Sequence, residues 1–169
     1  MNSPPKIAVI RRLPDAFMQG LSQFGEVTAI EAPGDAGGCD TLVSTAVDPV
    51  PANLIAALPD SIRLIANVGV GTDNIDLAAA TERGIAVSNT PVVTEDTADL
   101  AMALILASCR KLGAAERALR SGDWAAGASQ TGSRVHGKTL GIVGFGAIGQ
   151  AVARRATGFG MTILYHGPS

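Results

Sequence analysis

The chain has 169 residues, 47% hydrophobic and 17% charged, with a net charge of −2 at neutral pH, which excludes disorder and offers no field to attract a polyanion such as DNA. Its two cysteines, Cys39 and Cys109, form neither a metal spacing nor a disulfide framework. The opening segment lacks an apolar signal core and no apolar run approaches the ~20 residues of a membrane span, so a soluble cytoplasmic protein is expected, with no bound metal.

Short apolar runs alternate with helix-like segments along the chain, the pattern of a parallel α/β sheet. Residues 6–10 are the first predicted strand, followed by a helix over 14–24 and a strand over 26–30. A Gly/Pro-rich loop over 32–39 leads to strands at 40–44 and 63–67, with a helix at 51–58 between them. A helix over 77–83, closed by Gly84, precedes a strand at 85–88.

The rhythm changes at 94–112, where a long helix is predicted with Glu95 and Asp96 in its first turn and Arg110 and Lys111 in its last. It is apolar on most faces and is expected to be buried between domains or subunits. A second helix is expected at 114–121, then a polar, Gly-rich surface connection over 122–134 that Trp124 would pack. Residues 139–143, 147–159 and 162–165 then read as strand, helix and strand. One βαβ pair leaves unpaired edges, so the chain is expected to stop inside an incomplete second domain.

The sharpest motif lies in that last unit. Gly144-x-Gly146-x-x-Gly149 follows an apolar strand directly and opens an amphipathic helix. In a dinucleotide fold the first glycine makes the tight turn and the second lets backbone approach a pyrophosphate. The third allows close helix–strand packing. Free N–H groups at Ala147 and Ile148 would face the phosphates, aided by the helix dipole. A packing turn that binds nothing accounts for Gly149 but poorly for Gly146.

At the end of the following strand, an acid ordinarily hydrogen-bonds the adenosine ribose of NAD. Here the residues are Tyr165-His166-Gly167-Pro168-Ser169, with Gly167 at the acid's place. Without that carboxylate a 2′-phosphate is not repelled, and Ser169 can donate to it. NADP(H) is therefore the expected cofactor, with Gly167, Pro168 and Ser169 at its adenosine end. An NAD enzyme with an uncharged ribose site is the alternative.

A second constellation spans residues 63–76. A strand running into Gly69-Val70-Gly71 exposes successive N–H groups, a small anion nest suited to a carboxylate. Asp73 and Asp76 can cap the next helix. Taken alone this is an ordinary strand–turn–helix.

Together, NVGVGTDNID, IAVSNTP, TEDTADLAMALILASCRKL and GKTLGIVGFGAIGQ occur in the order and spacing of the D-isomer-specific 2-hydroxyacid dehydrogenases, and the chain resembles that family throughout. The missing acid and the YHGPS ending look most like its glyoxylate/hydroxypyruvate reductase branch. The resemblance implies a flavodoxin-like substrate (catalytic) domain over 1–92 and the start of a Rossmann NAD(P)-binding domain over 93–169, both incomplete. It implies a reductase of short 2-keto acids to D-2-hydroxy acids, dimeric through the long helix. By the same resemblance, the backbone of Val70 and Gly71 holds the substrate carboxylate with Asn67 beside it. Thr97 approaches the nicotinamide, and Gly144 to Gly149 hold the pyrophosphate. The family's catalytic Arg and its His–Glu pair are expected beyond Ser169, leaving no catalytic residue in this chain. Neither His136 nor His166 stands in for them. A non-catalytic, dinucleotide-sensing or truncated regulatory relative is the alternative, and phosphoglycerate, formate and phosphite dehydrogenases share the framework. Cys109 is expected to be a small buried apolar group, and Arg11 and Arg12 solvated charges.

Overall fold

The computed structural model describes residues 4–167, which fall into two compact units divided between Pro91 and Val92. The first unit is a five-stranded parallel sheet. Its strands are β1 (Lys6–Val9), β2 (Glu26–Ala29), β3 (Thr41–Thr45), β4 (Leu64–Val68) and β5 (Ala86–Ser88), in spatial order β2-β1-β3-β4-β5. That is the flavodoxin-like order, with its switch point between β1 and β3.

Side chains alternate between the two faces of this sheet, as the pleat requires. Ala8, Leu42 and Ile65 point into one core with Ile55, Ile62 and Ile85, beneath α2 (Ala52–Ala57) and α3 (Leu77–Glu82). Ile7, Val9 and Val43 point the other way, onto Phe17, Met18 and Leu21, residues of or beside α1 (Asp15–Ser22). Continuous apolar runs are what a sheet covered on both faces demands. The predicted loop at 32–39 contains a single 3₁₀ turn, Pro33–Ala36. Of the two predicted caps for α3, Asp76 caps, accepting from the Ala79 N–H at 3.0 Å. Asp73 does not.

The second unit begins with α4 (Thr94–Cys109), followed by α5 (Leu112–Arg120) and α6 (Trp124–Ala128). It continues as β6 (Thr139–Val143), α7 (Ala147–Thr157) and β7 (Thr162–His166), with β6 and β7 paired in parallel. Ala98 and Met102 of α4 pack on Ala151, Val152 and Ala156 of α7, small side chains that let the two backbones approach closely. Arg155 bridges the same helices, with Nε 2.5 Å from Asp99 and Nη1 2.7 Å from Glu95; Arg154 reaches Glu95 at 2.9 Å. The hydrogen bond from Arg155 is the main reason that the Glu95 carboxyl is held below its ordinary range.

Several expectations change here. The long helix stops at Cys109 because Lys111 adopts a left-handed φ of +53°, so Arg110 and Lys111 lie outside its last turn and α5 starts at once. The supposed connection over 122–134 holds α6, capped by Asp123 on the Ala126 N–H at 2.8 Å, and its Trp124 stays exposed. Cys109 is half-buried rather than buried. Leu100 and Leu104, one helical turn apart, are exposed on α4. No helix among the described residues is long and apolar enough to cross a membrane, and no group of His, Cys, Asp or Glu among them is arranged to hold a metal.

Candidate functional site

In the second unit, the turn from β6 into α7 assigns each glycine a different physical task. Gly144 has a φ of +88°, which an L side chain rarely adopts, and its N–H is bound by the His166 carbonyl at 2.7 Å. A Cβ on Gly149 would stand 2.3 Å from the Gly144 carbonyl oxygen, so only glycine lets α7 begin this close to the strand. A Cβ on Gly146 would meet nothing within 4 Å. The space over Gly146 is therefore open to an outside group.

The amides of Phe145, Gly146, Ala147 and Ile148 have no acceptor among the described residues. Four free donors at the start of an 11-residue helix make a concave positive patch. A diphosphate fits such a cradle. Gly167 lies against the same loop, its virtual Cβ 3.6 Å from the Phe145 nitrogen and 3.8 Å from the Gly144 Cα. Beside it, Phe145 and Tyr165 stack with ring centroids 4.3 Å apart. Pro168 and Ser169, expected at the adenosine end, lie outside the described residues.

The first unit carries a second set of backbone donors at the end of β4. Three carbonyls in a row are bound from behind. Gly69 accepts from the Thr90 N–H at 2.9 Å, Val70 from Asn89 Nδ2 at 2.7 Å, and Gly71 from Asn67 Nδ2 at 2.8 Å. A trans peptide unit points its N–H opposite to its C=O. Binding the Gly69 and Val70 carbonyls therefore turns the Val70 and Gly71 N–H groups outward, and neither has an acceptor among the described residues. The Gly69 N–H is withdrawn from this set, since it donates to Thr90 Oγ1 at 2.9 Å.

Asn67, expected beside a substrate, lies behind the nest and supports it. Only 1% of it is exposed, and its amide holds Gly71, accepts from Ser44 Oγ at 3.0 Å and meets Asn74 at 3.3 Å. Asn74 in turn donates to the backbone carbonyls of Thr45 (3.1 Å) and Asp48 (2.9 Å).

Asp48 anchors the far end of this chain of bonds, accepting from Arg11 Nε at 2.6 Å and from Thr45 N–H and Oγ1 at 2.9 and 2.7 Å. Burial pushes its carboxyl pKa up, but the bonds from Thr45 and Arg11 outweigh that and hold it below the ordinary value. Arg11 is thus a paired residue rather than a solvated charge, and Arg12 pairs with Asp15 at 2.7 Å. Ser44, Asp48, Asn74, Asn89 and Thr90 escaped the sequence reading. Only the unusual density of short polar residues at strand ends hinted at them.

Known proteins give the site its context. Residues 102–169, which include the glycine turn, match the family model for the D-isomer specific 2-hydroxyacid dehydrogenase NAD binding domain. The glyoxylate reductase of Korarchaeum cryptofilum is 44% identical over 175 residues, covering 96% of this chain and 52% of that protein. The chain belongs to the D-isomer-specific 2-hydroxyacid dehydrogenase family. Glyoxylate reductase from Thermococcus kodakarensis is 42% identical, over 98% of this chain and 54% of that protein. Among solved structures, an NADPH-dependent glyoxylate/hydroxypyruvate reductase from Sinorhizobium meliloti, in complex with NADP and malonate, matches with a TM-score of 0.85 at 35% identity. That match covers 99% of this chain and 54% of that one. This family member therefore spans about half the length of the relatives it matches.

Within it, the Thr97 hydroxyl donates to the Val93 carbonyl one turn back, at 2.7 Å, on an exposed face of α4. Its proton is thus taken by its own helix, while the oxygen keeps its acceptor lone pairs. His136 lies against Gly160 and the His166 backbone holds the glycine turn. His136 also lines a small pocket with Arg110 and Arg134.

Proposed function

We propose that the complete protein is an NADPH-preferring reductase of short 2-keto acids such as glyoxylate or hydroxypyruvate. On this reading residues 1–92 belong to its substrate domain and 93–169 to its dinucleotide domain. The observation that carries the proposal is the set of four free amides over the open space at Gly146, the place for a pyrophosphate. A bound nicotinamide dinucleotide supplies the hydride. The amides of Gly146, Ala147 and Ile148 hold its phosphates, with Gly144 and Gly149 shaping the turn. Gly167, and with it Pro168 and Ser169, leaves the adenosine ribose without a carboxylate partner, which favours a 2′-phosphate over a free 2′-hydroxyl. The Sinorhizobium relative, described with NADP and malonate, supports both the cofactor and the class of short carboxylate.

The outward N–H groups of Val70 and Gly71 bind the carboxylate of the substrate, each in a charge-assisted hydrogen bond. Asn67 contributes from behind by holding the Gly71 carbonyl. Thr97, its O–H donated to Val93, serves the nicotinamide end as a hydrogen-bond acceptor. The proton donor and the guanidinium that clamps the substrate come from a part of the protein other than these 169 residues, and the homodimer uses the exposed Leu100–Leu104 face of α4.

Two measurements on the full-length protein test this. Dissociation constants should be lower for NADPH than for NADH; equal or tighter NADH binding overturns the cofactor preference. Oxidation of NADPH by glyoxylate or hydroxypyruvate should follow at 340 nm. Tight dinucleotide binding with no turnover of any short 2-keto acid would favour a sensing relative instead.

A further inference from the structure

We propose that Asn89 is a positioning residue that locks the Val70–Gly71 peptide with its N–H toward the carboxylate, an inference that rests on the carboxylate reading of this nest. A peptide unit followed by glycine turns over cheaply, because the flip changes ψ of the first residue and φ of the second, and glycine accepts either sign of φ. Turned over, this unit would offer the Val70 carbonyl to the site, and a carbonyl oxygen repels a carboxylate. The flip is opposed by the bond from Asn89 Nδ2 to the Val70 carbonyl, 2.7 Å long.

The neighbouring units are held by other means. The Gly69 carbonyl is fixed by a backbone bond from Thr90, and the Gly71 carbonyl by Asn67, which is buried in the core and tied to Ser44 and Asn74. Asn89 alone of the three holders is an exposed side chain, at the end of β5, so it can be changed without opening the core. The lock also has a required polarity. The side chain must donate to a carbonyl, which an amide does and a carboxylate of the same shape cannot. A carboxylate at this position would accept instead from the Gly71 N–H of the flipped unit, and so would trap the wrong orientation.

The experiment follows the amide signals of the ¹⁵N-labelled full-length protein during titration with oxalate. In the unaltered chain, the Val70 and Gly71 signals should shift together and saturate. Asn89→Ala should weaken oxalate binding on the order of tenfold, the scale of one charge-assisted hydrogen bond no longer aimed. Asn89→Asp should weaken it further and, with no ligand present, protect the Gly71 amide from hydrogen exchange. Simple charge repulsion does not produce that protection. Unshifted β1 signals in both variants show that the fold is retained. Unchanged oxalate affinity in Asn89→Ala, or an unprotected Gly71 amide in Asn89→Asp, overturns the lock. If the Val70 and Gly71 signals of the unaltered chain ignore oxalate, the carboxylate reading itself fails, and the lock with it.

Discussion

Two sets of bare backbone amides dominate this chain, and they are built in opposite ways. At Gly144–Gly149 the donors are free because a helix has just begun and no earlier turn exists to accept them. Glycine shapes that turn from within, and no side chain is needed to aim it. At Val70–Gly71 no helix begins, and the donors point outward because Thr90 and Asn89 hold the Gly69 and Val70 carbonyls, while Asn67 fixes the Gly71 carbonyl that follows. The first site is a property of a few consecutive residues. The second is assembled from the ends of three strands. The comparison teaches that identical chemistry, an N–H aimed at an anion, can be local or distributed, and the two kinds should fail differently.

The largest expected effect tests the local site. Gly149→Val places side-chain atoms into the Gly144 carbonyl, where even a Cβ stands at 2.3 Å, so the turn must open. Overpacking of this kind costs about 1–3 kcal/mol or more, read as a lowered urea midpoint, with dinucleotide binding lost. Gly146→Ala is the sharpening partner. Its Cβ meets no protein atom within 4 Å, so stability should hardly move while NADPH affinity falls. If Gly146→Ala leaves affinity untouched, the open space over Gly146 is not where the phosphates sit.

Next comes the distributed site. Asn67→Leu keeps the volume but strands the Gly71 carbonyl and the buried Ser44 hydroxyl, at roughly 1–3 kcal/mol for each unsatisfied group. Thermal unfolding should report that loss, and oxalate binding should weaken with it although the amide side chain touches no ligand. A full-affinity Asn67→Leu would show that the nest does not depend on its supports.

Asp48 should give a smaller and pH-dependent effect. Its carboxyl pKa is lowered in the folded protein by Thr45 and Arg11, against the opposing pull of burial. The stabilisation is therefore complete above the unfolded value of about 4 and is lost as pH falls through the lower folded value. Urea midpoints compared at pH 6 and in that acidic range should drop more for the unaltered chain than for Asp48→Asn. Parallel losses in the two proteins would remove Asp48 from the acid response. The smallest effect belongs to Arg154→Ala on the exposed α4–α7 bridge, where solvent screens the pair with Glu95. Any change in Tm should vanish at high salt; a change that persists would mean that the Arg154 stem contributes packing.

Features that depend on neighbours along the chain were determined by the sequence itself. The alternation of strands and helices, the parallel class and the glycine turn all rest on periodicity and on backbone freedom at Gly144 and Gly149. The same holds for Asp76 as a helix cap, since its partner is three residues away. Short-range reading failed where one backbone angle intervened: the left-handed turn at Lys111 ended α4 early, and a five-residue α6 carried too little periodicity to be seen. Tertiary structure alone decided how the nest is held. Asn67 and Asn89 lie 22 positions apart, and Asp48 stands 19 before Asn67, so no spacing rule links them; they support one loop only because β3, β4 and β5 end side by side in the sheet. An amide points wherever its own carbonyl is bound, and the group that binds it can come from anywhere in the chain.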